Sequence, residues 1–221
     1  MELNANLNVM ELNNARAERN RQLFRDRGVL ALNIIGSPGA GKTTLLERLL
    51  EMTADLKIAV IEGDLATARD ASRIAAKGAQ VVQINTDGGC HLDAGMIEKV
   101  LPLFDLDRTD ILLIENVGNL VCPTDFDLGE DGRLVLLSVA EGGDKPVKYP
   151  ATFISAAAVV LNKLDLLALT DFDLEQVKAD LHDLKPGLKI FETVCRAGHA
   201  QGLADLAAWL RELAAAKKAG R

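Results

Sequence analysis

The sequence is poor in aromatic residues and in cysteine, and it has no long apolar run. Aromatic residues make up 4% of the 221 residues, so Leu, Ile, Val and Ala must build the core of a chain that is 48% hydrophobic. Because no run approaches the roughly 20 apolar residues that cross a bilayer, we expect no membrane span. No basic segment followed by an apolar one opens the sequence, so we expect no secretory signal. Three cysteines suit free thiols in a reducing compartment, and we expect a cytoplasmic protein.

An excess of basic residues is also missing. The chain has 25 Lys and Arg against 32 Asp and Glu, with a net charge of −7 and a pI near 5.1. This balance argues against nucleic acid and against an anionic membrane as partners. The length fits one domain, and a polar helix over Val9–Arg27 precedes its first predicted strand. We therefore divide the chain into a helical appendage, 1–28, and a main domain, 29–221.

Short apolar runs alternate with amphipathic segments along the main domain. The apolar runs predict strands at Leu30–Ile35, Lys57–Ile61, Gln80–Ile84, Ile111–Ile114, Leu134–Val139, Ala157–Leu161 and Leu188–Phe191. The amphipathic segments predict helices at Thr43–Met52, Thr67–Lys77, Leu92–Leu103, Leu174–Leu184 and Leu203–Leu213. This alternation is typical of an α/β fold with a mostly parallel sheet of about seven strands flanked by helices.

A phosphate-binding motif follows the first predicted strand and opens the first helix of the main domain. The pattern G-x-x-x-x-G-K-[ST] is matched in full by Gly36, Ser37, Pro38, Gly39, Ala40, Gly41, Lys42 and Thr43, with Thr44 next in the helix. Glycines in such a loop let backbone N–H groups surround the phosphates. Lys42 is then the cation for the β- and γ-phosphates, and Thr43 a ligand for Mg²⁺. The motif in this context predicts a P-loop NTPase.

A second motif predicts which base is bound. Asn162, Lys163, Leu164 and Asp165 follow the sixth predicted strand in the pattern N-K-x-D. The Asp165 carboxylate can accept from N1–H and the exocyclic amine of guanine, a donor pair that adenine lacks. Asn162 would hold the loop, and the Lys163 stem would lie over the base. Some 120 residues after a P-loop, these residues predict guanine specificity.

Carboxylates lie at the predicted ends of neighbouring strands. Glu115 and Gly118 form a variant of the D-x-x-G loop, in which Glu115 would hold Mg²⁺ and the Gly118 N–H would contact the γ-phosphate. Glu62, Asp64 and Asp70 follow the second strand, and one of them is expected to bind magnesium or to orient the attacking water. For any one of these acids, an ordinary solvated loop residue is an equal alternative.

Two thiols and an imidazole fall on loops beside the predicted phosphate site. Cys90 and His91 lie after the third strand and Cys122 after Glu115. Thiolate and imidazole suit Ni²⁺ or Zn²⁺, so we predict a transition-metal site. The spacing is not that of a zinc finger, and a fourth ligand would be water, Asp87, Asp93 or a residue of a second subunit. The alternative is that the two cysteines are small core residues and His91 a loop residue.

The other cysteine and histidines are not expected to be primary ligands. His182 lies in a helix pattern, and Cys195 and His199 lie in a loop before the last helix that would flank the base. Trp209 falls on the apolar face of that helix and is predicted to be a core residue.

The motifs together resemble a known family. Gly36–Thr43, Asn85–Ala94, Ile114–Glu130, Ser138–Pro150 and Asn162–Asp165 closely resemble the GTPase that inserts nickel during maturation of [NiFe]-hydrogenase. The likeness runs from about Asn13 to Leu210. The related urease nickel GTPases carry a Cys-Pro-His element that this sequence lacks.

The resemblance implies a GTPase of the signal-recognition-like class that forms a homodimer when GTP is bound. It implies a metal site at the dimer interface at Cys90, His91 and Cys122. It also implies Asp70 as the catalytic carboxylate, with Asp64 and Glu115 near magnesium. The family's partners are a second nickel-binding accessory protein and the hydrogenase large-subunit precursor.

The sequence departs from the family pattern in two places. Residues 1–35 contain no Cys and no His, so we expect no nickel-binding motif there. The segment Cys195–Gly202 reads Cys-Arg-Ala-Gly-His-Ala-Gln-Gly in place of the usual base-contacting pattern.

The sequence thus leads to one hypothesis and two alternatives. The hypothesis is a slow switch, in which bound GTP orders the Glu115–Cys122 loop, a metal ion is held, and hydrolysis releases it. The alternatives are a regulatory GTPase that handles no metal, and a small-molecule kinase, which would not explain Asn162–Asp165.

Overall fold

The structure is a computed structural model that describes residues 5–64, 73–196 and 199–220. The described residues form a seven-stranded sheet of order β3-β2-β4-β1-β5-β6-β7, in which all neighbours are parallel. Its strands are β1 Leu30–Gly36, β2 Ile58–Asp64, β3 Gln80–Asn85, β4 Ile111–Glu115, β5 Gly132–Ser138, β6 Ala158–Asn162 and β7 Lys189–Glu192. The predicted α/β fold with about seven parallel strands is confirmed.

Helices cover both faces of this sheet. The α-helices whose two ends lie within the described residues are α1 Ala5–Arg27, α2 Lys42–Met52, α3 Ala94–Val100, α4 Lys145–Lys148, α5 Pro150–Ser155, α6 Leu174–Leu184 and α7 Leu203–Ala219. Short 3₁₀ helices lie at Leu101–Leu103, Leu106–Arg108, Cys122–Asp125, Val139–Glu141 and Leu164–Leu169. Among the described residues, no helix is both long enough and apolar enough to cross a bilayer.

The central strand β1 is buried along its whole length, as expected for a parallel strand with helices on both faces. Its side chains alternate between the two faces of the sheet. Leu32 and Ile34 belong to the core under α2 and α7, which also contains Trp209, as predicted. Ala31 faces the core under α1 and α3. Because the strands are parallel and in register, their carboxyl ends meet at one edge of the sheet.

Helix α1 packs on this domain through buried amides as well as apolar side chains. Phe24 is fully buried against the sheet. Asn20 is also buried, and its Nδ2 donates to the carbonyls of Ala94 and Leu128, at 3.0 Å each. The division into an appendage, 1–28, and a main domain, 29–221, stays a prediction.

The segment Leu92–Leu103 differs from its predicted form. The Leu92–Leu103 helix begins later, because the Asp93 carboxylate caps α3 by accepting from the Met96 N–H at 2.8 Å, and its end is a 3₁₀ turn that contains Pro102. Most of the Thr67–Lys77 helix lies outside the described residues.

The predicted loop at Cys195–Gly202 also differs from its predicted form. It contains a short antiparallel pair, β8 Val194–Arg196 and β9 His199–Gln201.

Candidate nucleotide and metal site

The P-loop connects β1 to α2 through two glycines in the left-handed region. Gly39 has φ +77° and Gly41 has φ +101°, values that side chains rarely permit. A Cβ atom on Gly41 would also lie 2.6 Å from Nδ2 of Asn162. Glycine is therefore required at 41 both by the backbone and by the close approach of the N-K-x-D motif.

The Lys42 side chain lies back under this loop. Its Nζ donates to the carbonyl oxygens of Gly36 at 3.0 Å and Ser37 at 3.3 Å, and the residue is 7% exposed. The ammonium is thus fixed at the inner side of the loop, where a phosphate chain would lie.

A cavity of about 330 Å³ opens in front of the P-loop. It is lined by Gly39, Gly41, Lys42, Thr43, Thr44, Arg73, Glu115 and Lys163. Three cations face one carboxylate, so the cavity suits a polyphosphate.

Arg73 was missed by the sequence reasoning, and no motif pointed to it. It pairs with Glu47 on α2 through two hydrogen bonds of 2.9 and 2.8 Å.

Thr43 and Glu115 meet at the edge of this cavity. The Thr43 hydroxyl donates to Glu115 Oε1 at 3.0 Å, and Glu115 is 6% exposed. In the sheet, Glu115 pairs with Glu62, another buried carboxylate. A hydroxyl and a carboxylate side by side at a phosphate cavity are oxygen donors of the kind that Mg²⁺ prefers, so these residues fit the ion.

Two other acidic residues predicted for this region are not available for comparison. Asp70 lies outside the described residues, and so does the side chain of Asp64, although the backbone of Asp64 ends β2. Their predicted roles stay predictions.

The loop after β4 packs directly on the P-loop. A Cβ atom on Gly118 would lie 3.1 Å from Cγ and 3.2 Å from Cα of Pro38. Asn119 forms an antiparallel bridge with Gly36. Because the two loops are closely packed, a displacement of either loop must also displace the other.

The residues of the N-K-x-D motif are brought to the P-loop as well. Asn162 is buried, and its Nδ2 donates to the carbonyl of Ala40 at 2.9 Å, while its Oδ1 accepts from the Thr193 hydroxyl at 3.0 Å. Lys163 adopts φ +63°, and its Nζ donates to the carbonyl of Gly39 at 2.5 Å. These contacts fix the start of the motif relative to the phosphate cavity.

Asp165 faces a second cavity, of about 320 Å³, that is also lined by Thr193, Val194 and Gln201. Its carboxylate forms an ion pair with Arg196 at 3.5 Å. Arg196 lies on β8, in the segment that departs from the family pattern, and the sequence reasoning gave it no role. The carboxylate predicted to read guanine thus already has a cationic neighbour.

The two predicted thiol ligands lie next to each other. The thiol of Cys122 lies near enough to that of Cys90 to raise the pKa of Cys90, and partial loss of solvent at Cys90 acts in the same direction. Cys90 Sγ lies 3.4 Å from Nδ1 of His91. The His91 ring stacks on Phe126 with 3.7 Å between ring centroids, and burial lowers the pKa of His91, which favours neutral imidazole.

The arrangement is not a closed metal site. Within the part of the chain that the structure describes, no three His, Cys, Asp or Glu side chains are grouped so as to hold a metal ion. The Asp93 carboxylate, one of the predicted fourth ligands, caps α3 instead. The structure therefore places Cys90 near His91 and near Cys122 as two pairs, without grouping the three side chains into the predicted site.

The remaining cysteine and histidines lie elsewhere. Cys195 lies on β8 and contacts the core under α2 and α7, and burial raises its pKa to about 11. His182 is exposed on α6. The side chain of His199 lies outside the described residues.

Comparison with known proteins adds a family to this geometry. Residues 30–192 match the family model described as CobW/HypB/UreG, nucleotide-binding domain. The hydrogenase maturation factor HypB of Escherichia coli K12 is 47% identical over 209 residues, which cover 94% of this chain and 71% of that protein. The hydrogenase/urease maturation factor HypB of Helicobacter pylori J99 is 44% identical over 187 residues, covering 83% of this chain and 77% of that protein.

Solved structures agree with the sequence matches. HypB from Helicobacter pylori in complex with nickel has a TM-score of 0.87 at 41% identity and covers 93% of this chain and 96% of that one. HypB from Archaeoglobus fulgidus has a TM-score of 0.85 at 41% identity and covers 92% of this chain and 99% of that one. The family resemblance predicted from the sequence is confirmed.

Proposed function

This chain belongs to the CobW/HypB/UreG family, and on that premise we propose that it is a GTPase that delivers nickel during [NiFe]-hydrogenase maturation. The observation that carries the proposal is the course of one loop. The loop from Glu115 to Cys122 packs on the P-loop at Gly118 and ends at a thiol that lies near the thiol of Cys90. On this proposal, one stretch of eight residues contacts both the nucleotide and the metal.

Hydrolysis is assigned to the phosphate cavity. Lys42, held beneath the P-loop, stabilises the charge that develops as water attacks the γ-phosphate. Thr43 and Glu115 would hold Mg²⁺, which neutralises β- and γ-phosphate oxygens when bound. The resemblance to the nickel GTPases supports Asp70 as the carboxylate that orients the water, with Asp64 near the metal.

Guanine recognition is assigned to Asp165, with Asn162 and Lys163 as the supports of its loop. The Asn162–Ala40 and Lys163–Gly39 hydrogen bonds fix the distance between base and phosphates. A guanine nucleotide fits this pair of cavities because the acceptor carboxylate faces the second one.

The metal cargo is assigned to Cys90, His91 and Cys122. Two sulfur ligands and one imidazole nitrogen suit Ni²⁺ and also Zn²⁺. Since one chain does not close the site, we propose that two copies pool their ligands in a homodimer that forms with GTP. Val121, which precedes Cys122 and is 43% exposed, gives this face an apolar contact for the second copy.

Delivery requires further proteins. The resemblance to the nickel GTPases implies a second nickel-binding accessory protein that exchanges the ion and the hydrogenase large-subunit precursor that accepts it. The three free cysteines fit a reducing compartment, so we propose that delivery takes place in the cytoplasm.

Nickel titration tests the proposal. The full chain is titrated with Ni²⁺ in the presence of GDP and of a non-hydrolysable GTP analogue, and the oligomeric mass is followed in parallel. We expect tighter nickel binding and a doubled mass with the analogue. Cys122→Ser should lose the nickel, whereas Cys195→Ser, a matched control on β8, should keep it.

Equal nickel affinities and equal masses in the two nucleotide states would overturn the coupling and leave a GTPase without a metal function. Nickel retention by a Cys90→Ala, Cys122→Ala double variant would overturn the ligand assignment. A preference for ATP over GTP, with ADP formed only when an acceptor is added, would favour the small-molecule kinase instead.

A further inference from the structure

A buried asparagine links the loop after β4, here called the nucleotide loop (115–118), to the segment that carries Cys90 and His91, here called the metal loop. Asn116 directly follows Glu115, and its side chain is fully buried. Its Oδ1 accepts from the backbone N–H of Leu92 at 3.1 Å and of Val117 at 3.0 Å. Leu92 directly follows His91, a predicted nickel ligand. The side-chain amide of Asn116, the residue after the predicted magnesium ligand Glu115, is therefore hydrogen-bonded to the backbone next to His91.

The same amide begins a second connection, which leads to the other thiol. Its Nδ2 donates to Oδ1 of Asn33, a fully buried residue of β1, at 3.1 Å. Asn33 Nδ2 then donates to Oε1 of Glu130 at 3.3 Å, and the same oxygen accepts from Arg133 Nε at 2.8 Å.

Arg133 completes this connection. Its Nη1 donates to the carbonyl oxygen of Thr124 at 2.6 Å, within the 3₁₀ turn that begins at Cys122. Asn116 is therefore hydrogen-bonded, directly or through three side chains, to the backbone beside both halves of the thiol and imidazole cluster.

A buried asparagine with a purely local role would form its side-chain hydrogen bonds within one turn of the backbone. Asn116 instead joins three separate segments, namely the β4 loop, the β1 strand and the segment before α3. Buried polar networks of this kind have few alternative arrangements, because a broken bond leaves a buried donor or acceptor unpaired. A shift of Glu115 and Val117 must therefore move the Leu92 contact or break it.

We infer that Asn116 is the positioning residue that transmits the nucleotide state from the Glu115–Gly118 loop to the backbone beside Cys90 and His91. The inference rests on the proposed function and deepens it, since it names the coupling element. Asn116 itself touches neither nucleotide nor metal; it sets where the metal loop lies for each position of the nucleotide loop.

The first test needs no metal. Amide hydrogen exchange of the peptide that contains Leu92 is measured by mass spectrometry in the full chain, with GDP and with a non-hydrolysable GTP analogue. We expect protection at Leu92 to differ between the two nucleotides in the wild type and to be equally low with both in Asn116→Ala. Wild-type protection that does not change with the nucleotide, or a change that persists in Asn116→Ala, would overturn the inference.

The second test measures coupling as a ratio of nickel affinities. In the wild type, we expect nickel to bind at least about five-fold more tightly with the GTP analogue than with GDP. Asn116→Ala should bring this ratio close to one while nucleotide affinity changes by less than about three-fold. Thr53→Ala removes another buried hydrogen bond, at the far end of α2, and should keep the wild-type ratio.

Asn33→Val replaces the first variant if Asn116→Ala does not fold. It removes the connection towards Thr124 and keeps the Leu92 contact, so an intermediate ratio is expected. An unchanged ratio in Asn116→Ala, or in Asn33→Val where that variant replaces it, would overturn the inference. The wild type could also show equal nickel affinities in the two nucleotide states together with nucleotide-dependent hydrogen exchange at Leu92. That result would remove the metal step of the proposed function, and Asn116 would remain the residue that couples the Glu115–Gly118 loop to Leu92.

Discussion

The hydroxyl of Thr43 donates a hydrogen bond to Oε1 of Glu115 over 3.0 Å, although 72 residues separate them. The contact joins the first turn of α2 to the end of β4. These are the two places from which a P-loop protein supplies its oxygen ligands for magnesium. Glu115, the last residue of β4, therefore lines the cavity in front of the P-loop and is not a solvated loop residue.

Replacement of Glu115 tests this contact. Glu115→Gln keeps the shape and removes the charge, so we expect kcat for GTP hydrolysis to fall by about 10–100-fold and the Mg²⁺ requirement to rise. Thr43→Ser keeps the hydroxyl and should stay close to the wild type. The measurement is phosphate release at a series of Mg²⁺ concentrations. An unchanged Mg²⁺ dependence in Glu115→Gln would remove this residue from the magnesium site.

Replacement of Asp165 tests the assignment of the base. Asp165→Asn exchanges an acceptor for an amide, so the N1–H and the amine of guanine lose their shared partner. We expect GDP affinity to fall by at least about ten-fold and binding of xanthosine diphosphate to improve. Competition binding with guanine, xanthine and adenine nucleotides measures both effects.

Arg196→Ala is the control for that substitution. Arg196 is 65% exposed, and exposed ion pairs contribute little, about 0–1 kcal/mol. Its removal should therefore change GDP affinity by less than about five-fold. If Arg196→Ala abolishes guanine binding while Asp165→Asn retains it, the base is read by the arginine and not by the carboxylate.

A pair of glycines tests how tightly α1 is attached. Gly129 has φ +89°, and a Cβ atom there would lie 2.4 Å from the carbonyl oxygen of Ala17 on α1. Gly78 has a similar φ of +84° with nothing within 4 Å of the same position. Gly78→Ala should therefore cost only backbone strain, on the order of 1 kcal/mol.

Gly129→Ala adds a steric conflict to the same strain. We expect it to lower the free energy of unfolding by about 1–3 kcal/mol more than Gly78→Ala does, because α1 must move away or the loop must shift. Urea unfolding of the two variants gives the difference directly. Equal losses would mean that α1 does not stabilise the domain through this contact.

The thiol of Cys195 provides a pH-dependent prediction. Burial raises its pKa to about 11 from 9.0, so its thiolate fraction at pH 8 is about a hundred-fold lower than in the unfolded chain. Alkylation of the folded protein should be slow at pH 8 and rise about ten-fold per pH unit towards pH 11. Mass spectrometry of the Cys195 peptide follows the rate.

The same shift contributes to stability in a defined direction. Because the folded pKa lies above the unfolded one, the neutral thiol stabilises the fold below pH 9, and this contribution is lost as the pH rises from 9 through 11. Cys195→Ala should therefore lose less stability than the wild type over that interval. A parallel decline in the two proteins would contradict the raised pKa.

Much of the architecture was predictable because it depends on local signals. The strand β1 reads as a continuous apolar run, and a strand buried on both faces leaves that pattern in any sequence. The P-loop was predictable because Gly39 and Gly41 must adopt positive φ. Elsewhere the local pattern misled: α7 continues to Ala219 beyond its predicted end at Leu213, and Lys217 and Lys218 near its end pair with Asp131 and Asp110.

Other parts of the site could not be predicted, because they depend on which segments meet. Arg73 lines the phosphate cavity through the packing of its segment on α2, where it pairs with Glu47. Arg196 reaches Asp165 because β8 returns beside the loop after β6. Neither side chain belongs to a motif, and an arginine at either position looks like any surface cation.

The sequence by itself determined which reactive groups the chain carries: a P-loop, a carboxylate that we propose reads guanine, a carboxylate and a hydroxyl that we propose hold magnesium, and two thiols with an imidazole. Each of these depends on residue types at short spacing, which the chain carries whether or not it is folded. Only the tertiary structure decided which of these groups touch. It placed Gly118 on Pro38, Cys122 beside Cys90 and the amide of Asn116 between Leu92 and Asn33, because side-by-side parallel strands bring distant loops to one edge of the sheet.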